Sequence, residues 1–229
     1  VYVGSFDKNI YCLNATAGAL IWSYKTGGLV GSSPAIADGK LYVGSDDRNI
    51  YAFGPRPVPT IDWWPMFHHD SNRIGRSTST APNTNNTIWN YTTGSPVWSC
   101  PSVSEGRVYV GSLDFNVYCL DALSGQRIWN YKTGDWVESS PAIAEGRVYV
   151  GSYDKAVYCL NASSGALIWS YTTGDAVWSS PALAYGRVYV GSLDFNVYCL
   201  DALSGQRIWS YTTGGGVGSS PAVVDGKVY

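Results

Sequence analysis

Short apolar runs, each closed by turn-forming residues, recur along most of the chain. Between Val137 and Thr173 the pattern can be followed step by step. VESSPAIA, to Ala144, is followed by a Glu145-Gly146 turn and then RVYVGS, to Ser152. A turn around Tyr153-Asp154-Lys155 leads to AVYCLN, and Ala162-Ser163-Ser164-Gly165 leads to ALIWSYTT. Val, Ile, Tyr and Trp enrichment with turn residues every few positions predicts four strands. No window carries a 3.6-residue apolar period, so almost no helix is expected.

The same four-run unit recurs. Tyr109, Tyr149, Tyr189 and Tyr229 occupy one position at steps of 40 residues, and Tyr2 and Tyr42 keep that step at the other end. A period of this length signals a stacked or ring-shaped array of small modules. The first run of each unit is small and holds a proline, as in GSSPA at Gly31–Ala35 and Gly218–Ala222. Proline cannot donate to a ladder and suits a strand with one unpaired side. The fourth run carries bulky residues such as Trp169 and Tyr171. Small residues inside and large ones outside are the taper of a β-propeller.

One segment breaks the period, between Gly54 and about Asn86, opening PRPVPTIDWWPMFHHDSNRIG. The unit before it, Ser32 to Phe53, lacks a fourth run, and TIWNYTTG after it has no first three. The two are expected to complete one blade, which removes an exposed edge. The chain then divides into 1–54, the last blades; 55–86, a Pro-rich linker or cap; and 87–229, the first blades. Five blades per closed unit follow if Val217–Tyr229 and Val1–Lys25 share one blade. Val228-Tyr229 and Val1-Tyr2 then claim the same place. Closure between chains, or the chain being a fragment of a longer array, remain alternatives, since the opening VYVGS looks cut.

Composition narrows the function classes. Net charge is −2 and no basic stripe is present, so nucleic-acid binding lacks electrostatic support. No apolar run is long enough to span a membrane. Cys12, Cys119, Cys159 and Cys199 share one repeat position, too far apart to bridge, and Cys100 replaces a serine. They read as small buried hydrophobes. Asn14, Asn85, Asn90 and Asn161 begin Asn-x-Ser/Thr sequons, compatible with an extracellular or cell-surface protein.

The segment LDALSGQRIW, at Leu120–Trp129 and Leu200–Trp209, resembles the tryptophan-docking motif of PQQ-like propeller repeats. LNATAGALIW and LNASSGALIW are variants of it. Trp64–Gly75, WPMFHHDSNRIG, is similar to the opening of archaeal surface proteins of that family, which places a domain start near Asp62. The resemblance implies that Trp22, Trp89, Trp129, Trp169 and Trp209 pack between blades. Some relatives are quinone-dependent alcohol dehydrogenases, whose site uses a disulfide between adjacent cysteines, a catalytic aspartate and calcium. This chain has no Cys-Cys pair, so neither PQQ nor another cofactor is expected; fold alone does not assign a reaction.

Candidate chemistry lies where the repeats differ. Gly31, Trp98, Glu138, Trp178 and Gly218 correspond, with Asp135, Trp136 and Asp175 beside them. Around a channel mouth they could bind a sugar or peptide by stacking and hydrogen bonding, or simply fill the channel. Asp7, Asp47, Asp114, Asp154 and Asp194 recur after GS; calcium ligation competes with the preferred reading, an Asx turn. His68, His69 and Asp70 lack a third spaced ligand, and no metal site is expected. No catalytic motif is present. The expectation is a non-catalytic scaffold or recognition module contacting protein partners or copies of itself. Alternatives are a lectin-like binder of glycans and a self-assembling fibre or sheath subunit.

Overall fold

A computed structural model describes residues 1–54, 64–70, 80 and 82–229. Its strands fall into six antiparallel sheets in chain order. The first holds β1 (Tyr2–Gly4), β2 (Asn9–Leu13) and β3 (Leu20–Lys25). The second holds β4 (Ala35–Ala37), β5 (Lys40–Gly44), β6 (Asn49–Phe53) and β7 (Thr87–Thr92). Three further sheets are β8–β11 (residues 102–132), β12–β15 (142–172) and β16–β19 (182–212). The last pairs β20 (Val223–Val224) with β21 (Lys227–Val228). No helix occurs among the described residues. The architecture is that of successive four-stranded propeller blades.

Strand β7 pairs with β6 in the register Asn49↔Thr92 through Phe53↔Thr87. A strand beyond the period-breaking segment therefore completes the preceding three. Its Trp89 faces Ala52 across the ladder.

The innermost strand is shorter than the run VESSPAIA suggests. It spans only Ala142–Ala144 and its equivalents. The residues ahead of it bond to neighbouring blades instead. Pro141 has no N–H to offer a ladder. The Ser140 amide donates to Ser180 Oγ at 3.0 Å, and the Ser180 amide to Ser220 Oγ at 2.9 Å. The Cys100 amide donates to Ser140 Oγ, while Cys100 Sγ accepts from the Ser33 amide. Three serine hydroxyls and one thiol thus link the inner ends of five successive sheets.

Apolar burial lies between sheets. Tyr109, Cys119 and Trp129 of one sheet pack against Val148, Val150 and Leu160 of the next. The same grouping recurs at the neighbouring seams.

Two placements bear on the blade count. The sheet β1–β3 holds the last three strand positions of a blade, and β20–β21 the first two; they remain separate sheets. Tyr2 pairs with Cys12 on its outer side. Tyr229, at the same repeat position, exchanges two hydrogen bonds with Ala222 on its inner side.

Candidate functional site

Each seam is built around one indole. Trp129 Nε1 donates to the carbonyl of Ala162 in the next sheet at 3.0 Å, and Tyr109 Oη donates to the same oxygen at 3.2 Å. Trp89 with Tyr42 on Ala122, and Trp169 with Tyr149 on Ala202, repeat the arrangement. The ring rests on a glycine of the accepting turn. A Cβ on Gly165 would lie 2.7 Å from Trp129 Cδ2, and its φ of 73° already favours glycine. Trp22 differs, donating to Pro82 O at 3.3 Å and lying 5.9 Å from Phe53. Trp209 is partly exposed, and its Nε1 has no partner among the described residues.

The recurrent aspartates tie the seams at the opposite end of the strands. Asp154 Oδ1 accepts from the Ala156 amide at 3.1 Å, an Asx turn. Its Oδ2 accepts from Tyr158 Oη and from the Gly134 amide of the preceding blade, both at 2.6 Å. Asp47, Asp114 and Asp194 make the corresponding contacts. Asp7 keeps the turn and its tyrosine, Tyr11, whose hydroxyl is the main cause holding its carboxyl down at about 2. Burial works against ionisation of Asp194. The Tyr198 hydroxyl and the Gly174 amide nevertheless hold it below the usual carboxylate range.

The variable positions make two sets of contacts. In the first, Trp98 Nε1 donates to Asp46 Oδ1 at 2.7 Å. Phe6, Leu29 and Gly31 line a hollow of about 260 Å³ beside this pair. In the second, Tyr153 is central. Its ring lies 5.6 Å from Trp136 and 5.9 Å from Trp178, and Glu138 is close enough to its hydroxyl to help raise its pKa, burial being the larger cause. Burial raises the pKa of Glu138 above the ordinary carboxylate value, and the Tyr153 hydroxyl partly offsets this. All three indoles keep about two-fifths of their surface exposed. The flanking acids are partly occupied: Asp135 Oδ1 accepts from the Trp136 amide at 2.8 Å, and Asp175 lies 3.8 Å from Lys155. Sequence reasoning missed Tyr153, Phe6 and Asp46. Their signal was the residue following GS, which varies among Phe6, Asp46, Leu113, Tyr153 and Leu193.

From the insert, Trp64–Asp70, Thr80 and residues 82–86 are described. Trp64 forms an antiparallel bridge with Val103, and the Ile143 amide donates to Pro65 O at 2.7 Å. This piece therefore lies along the inner strands β8 and β12. His69 packs edge-on against Trp64 at 5.1 Å, and His68 stacks on Phe67 at 4.0 Å. The proposed domain start at Asp62, and the other residues of 55–63, 71–79 and 81, lie outside the described residues. No grouping of three or more His, Cys, Asp or Glu placed to hold a metal occurs among the described residues. No described helix is long and apolar enough to cross a membrane.

All five cysteines are buried free thiols. Cys119 and Cys159 face Tyr109 and Tyr149 across their ladders, and burial pushes both thiols up to about 12. Among the sequons, Asn90 lies exposed on β7. Asn14 and Asn161 use their side-chain oxygens to cap turns, and Asn85 Nδ2 donates to Ser23 O. No two cysteines are adjacent in sequence, and Asp47, Asp114, Asp154 and Asp194 each accept hydrogen bonds from a turn amide, a tyrosine and the preceding blade.

The chain matches the PQQ-repeat family described as "Outer membrane protein assembly factor BamB" over residues 1–56, 73–182 and 113–229. It belongs to that family of β-propeller repeats. A second similarity is to a protein of Danio rerio named Beta-alanine-activating enzyme, 45% identical over 42 residues. That stretch is 18% of this chain and only 4% of the Danio rerio protein.

Proposed function

We propose that the protein is a non-catalytic propeller scaffold and recognition module, working outside the cell or at its surface. The observation that supports this most is the employment of its chemically capable side chains. The recurrent aspartates accept hydrogen bonds within and between blades, and all five thiols are buried, with burial raising the pKa of Cys119, Cys159 and Cys199. Among the variable positions Trp98, Trp136 and Trp178 stay exposed, and aromatic residues are enriched at recognition surfaces. In this reading the docking tryptophans set blade spacing and Trp98, Trp136 and Trp178 meet the partner. Each unit counts five blades, one of them assembled from β20–β21 and β1–β3. The exposed Asn90 supports a glycosylated, extracellular setting.

Absorbance spectra after adding PQQ and calcium test the non-catalytic part. The expected result is the spectrum of free quinone. A shifted spectrum accompanied by alcohol-dependent dye reduction would refute it.

A lectin-like function is the second reading, favoured by the Trp136–Tyr153–Trp178 cluster with Glu138 as hydrogen-bond acceptor. Stacked aromatic rings beside a carboxylate suit a sugar ring and its hydroxyls. A glycan array separates the two readings. Binding that disappears in Trp178→Ala supports the lectin, and a blank array removes it.

A further inference from the structure

Three aromatic rings and a carboxylate meet across the boundary between two complete blades. Trp136 leads into the sheet β12–β15, Tyr153 follows β13, and Trp178 leads into the sheet β16–β19. Tyr153 lies 5.6 Å from Trp136 with ring planes at 59°, and 5.9 Å from Trp178 with ring planes at 49°. The two indoles keep 43% and 39% of their surface exposed, whereas Trp129, which seals a seam, keeps 8%. The row is therefore a surface and not a filled junction.

Glu138 stands beside this row, half-buried and near enough to the Tyr153 hydroxyl for each group to shift the other's titration. It forms no ion pair among the described residues. Lys155 is held 3.8 Å from Asp175, and Arg147 lies 4.0 Å from Glu145. Burial raises the pKa of Glu138, as happens when a carboxylate loses water without gaining a counter-ion. Asp135 adds negative charge from the same loop, with one oxygen held by the Trp136 amide at 2.8 Å. Trp98 and Asp46 also set an indole beside an acid, but there the indole N–H already donates to the carboxylate at 2.7 Å.

One ligand class answers both features at Glu138. A cation is attracted to the faces of exposed aromatic rings and compensates a desolvated carboxylate. A neutral sugar leaves that charge uncompensated. Among cations the planar guanidinium suits the site better than an ammonium. It stacks flat on an indole, offers paired N–H donors to a carboxylate, and is the more weakly hydrated of the two.

We propose that the Trp136–Tyr153–Trp178 row binds an arginine side chain of a partner polypeptide, its guanidinium stacked on an indole and its N–H groups donating to the Glu138 carboxylate. This supplies the partner's chemistry for the recognition surface proposed above, and rests on that reading.

Nuclear magnetic resonance on the whole chain tests it with three acetylated, amidated peptides, Gly-Ser-X-Ser-Gly, in which X is arginine, lysine or citrulline. Citrulline keeps the shape of arginine without its charge. Indole N–H signals, assigned with Trp136→Phe and Trp178→Phe, report occupancy. The arginine peptide is expected to shift the Trp136 and Trp178 signals and to bind about tenfold more tightly than the citrulline peptide, with lysine between them. Glu138→Gln leaves the rings in place and should erase the preference for arginine over citrulline. An otherwise unchanged indole spectrum shows that this variant is folded, and the comparison of peptides on the unaltered chain needs no variant at all. Arginine binding no tighter than citrulline or lysine overturns the proposal. So does a preference that survives in Glu138→Gln, or a spectrum that the arginine peptide leaves unmoved. Each of these strikes the arginine site alone, whereas the non-catalytic recognition reading falls with the quinone spectrum.

Discussion

The segments Val108–Trp129 and Val188–Trp209 are identical in sequence but not in surroundings. In the first, Trp129 is 8% exposed and Val117 is fully buried. In the second, Trp209 and Val197 are partly exposed, and Tyr211, which follows, is 68% exposed. Leu120 and Leu200, on the opposite side of the sheet, are both fully buried. Ladder registers agree residue for residue. Local sequence therefore makes the sheet, while the following blade makes the core. Half of each blade's apolar surface depends on a neighbour, as nearest-neighbour stabilisation in repeat arrays requires.

Several substitutions would break or sharpen this comparison. The largest effect should come from paired truncations. Trp129→Ala removes a buried indole and should cost about 3–5 kcal/mol in urea unfolding. Trp209→Ala, measured in dilute solution, should cost under about half of that because less area leaves water. Equal losses would refute neighbour-dependent burial.

Next is the glycine on which the indole rests. Gly165→Ala combines backbone strain with a Cβ 2.7 Å from an indole carbon, and should cost about 2–3 kcal/mol. Gly18→Ala, at similar φ and with no atom of the described residues within 4 Å of the added Cβ, should show only the conformational part, about 1 kcal/mol. Thermal melts of the two variants would show whether crowding by the indole matters.

A smaller effect concerns acid. Asp194 titrates below its unfolded value of about 4, so its contribution is complete above that value and is lost as pH falls through the folded one. Asp194→Asn should lower stability at neutral pH by about 1 kcal/mol, discounted for partial exposure, and flatten the acid limb of the stability curve. An unchanged acid limb would deny the carboxylate its part in the seam.

The smallest effect has the opposite sign. The pKa of Glu138 is raised by burial, so the folded state favours its protonated form. Its cost to stability should appear as pH rises from about 4 through the folded value. Glu138→Gln should remove that decline, read from the midpoint of urea unfolding between pH 4 and 7.

Much of the blade was legible in the sequence because its signals are local. Strand-forming residues between turn residues mark the three outer strands, and the broken period points to the pairing of β6 with β7. The inner strand is shorter than its apolar run, because Ser140 and Ser180 spend their backbone and hydroxyl groups on neighbouring blades. The exposed aromatic positions could be picked out as variable, but not their grouping. Tyr153 joins Trp136 to Trp178 across a blade boundary, a contact set by blade spacing rather than by any pattern along one strand. Trp98 likewise meets the residue that follows GS in the preceding blade, Asp46.

The late arrival of β7 has a consequence for synthesis on the ribosome. β4–β6 must wait, edge unpaired, until Thr92 has been added well after Phe53. At ordinary elongation rates that interval is roughly 2–8 seconds, long compared with the microseconds in which a hairpin forms. During it the nascent chain displays an incomplete sheet whose missing ribbon could be supplied by another polypeptide. Crowded polysomes, where several such intermediates lie side by side, are where this chain would be most exposed to mispairing.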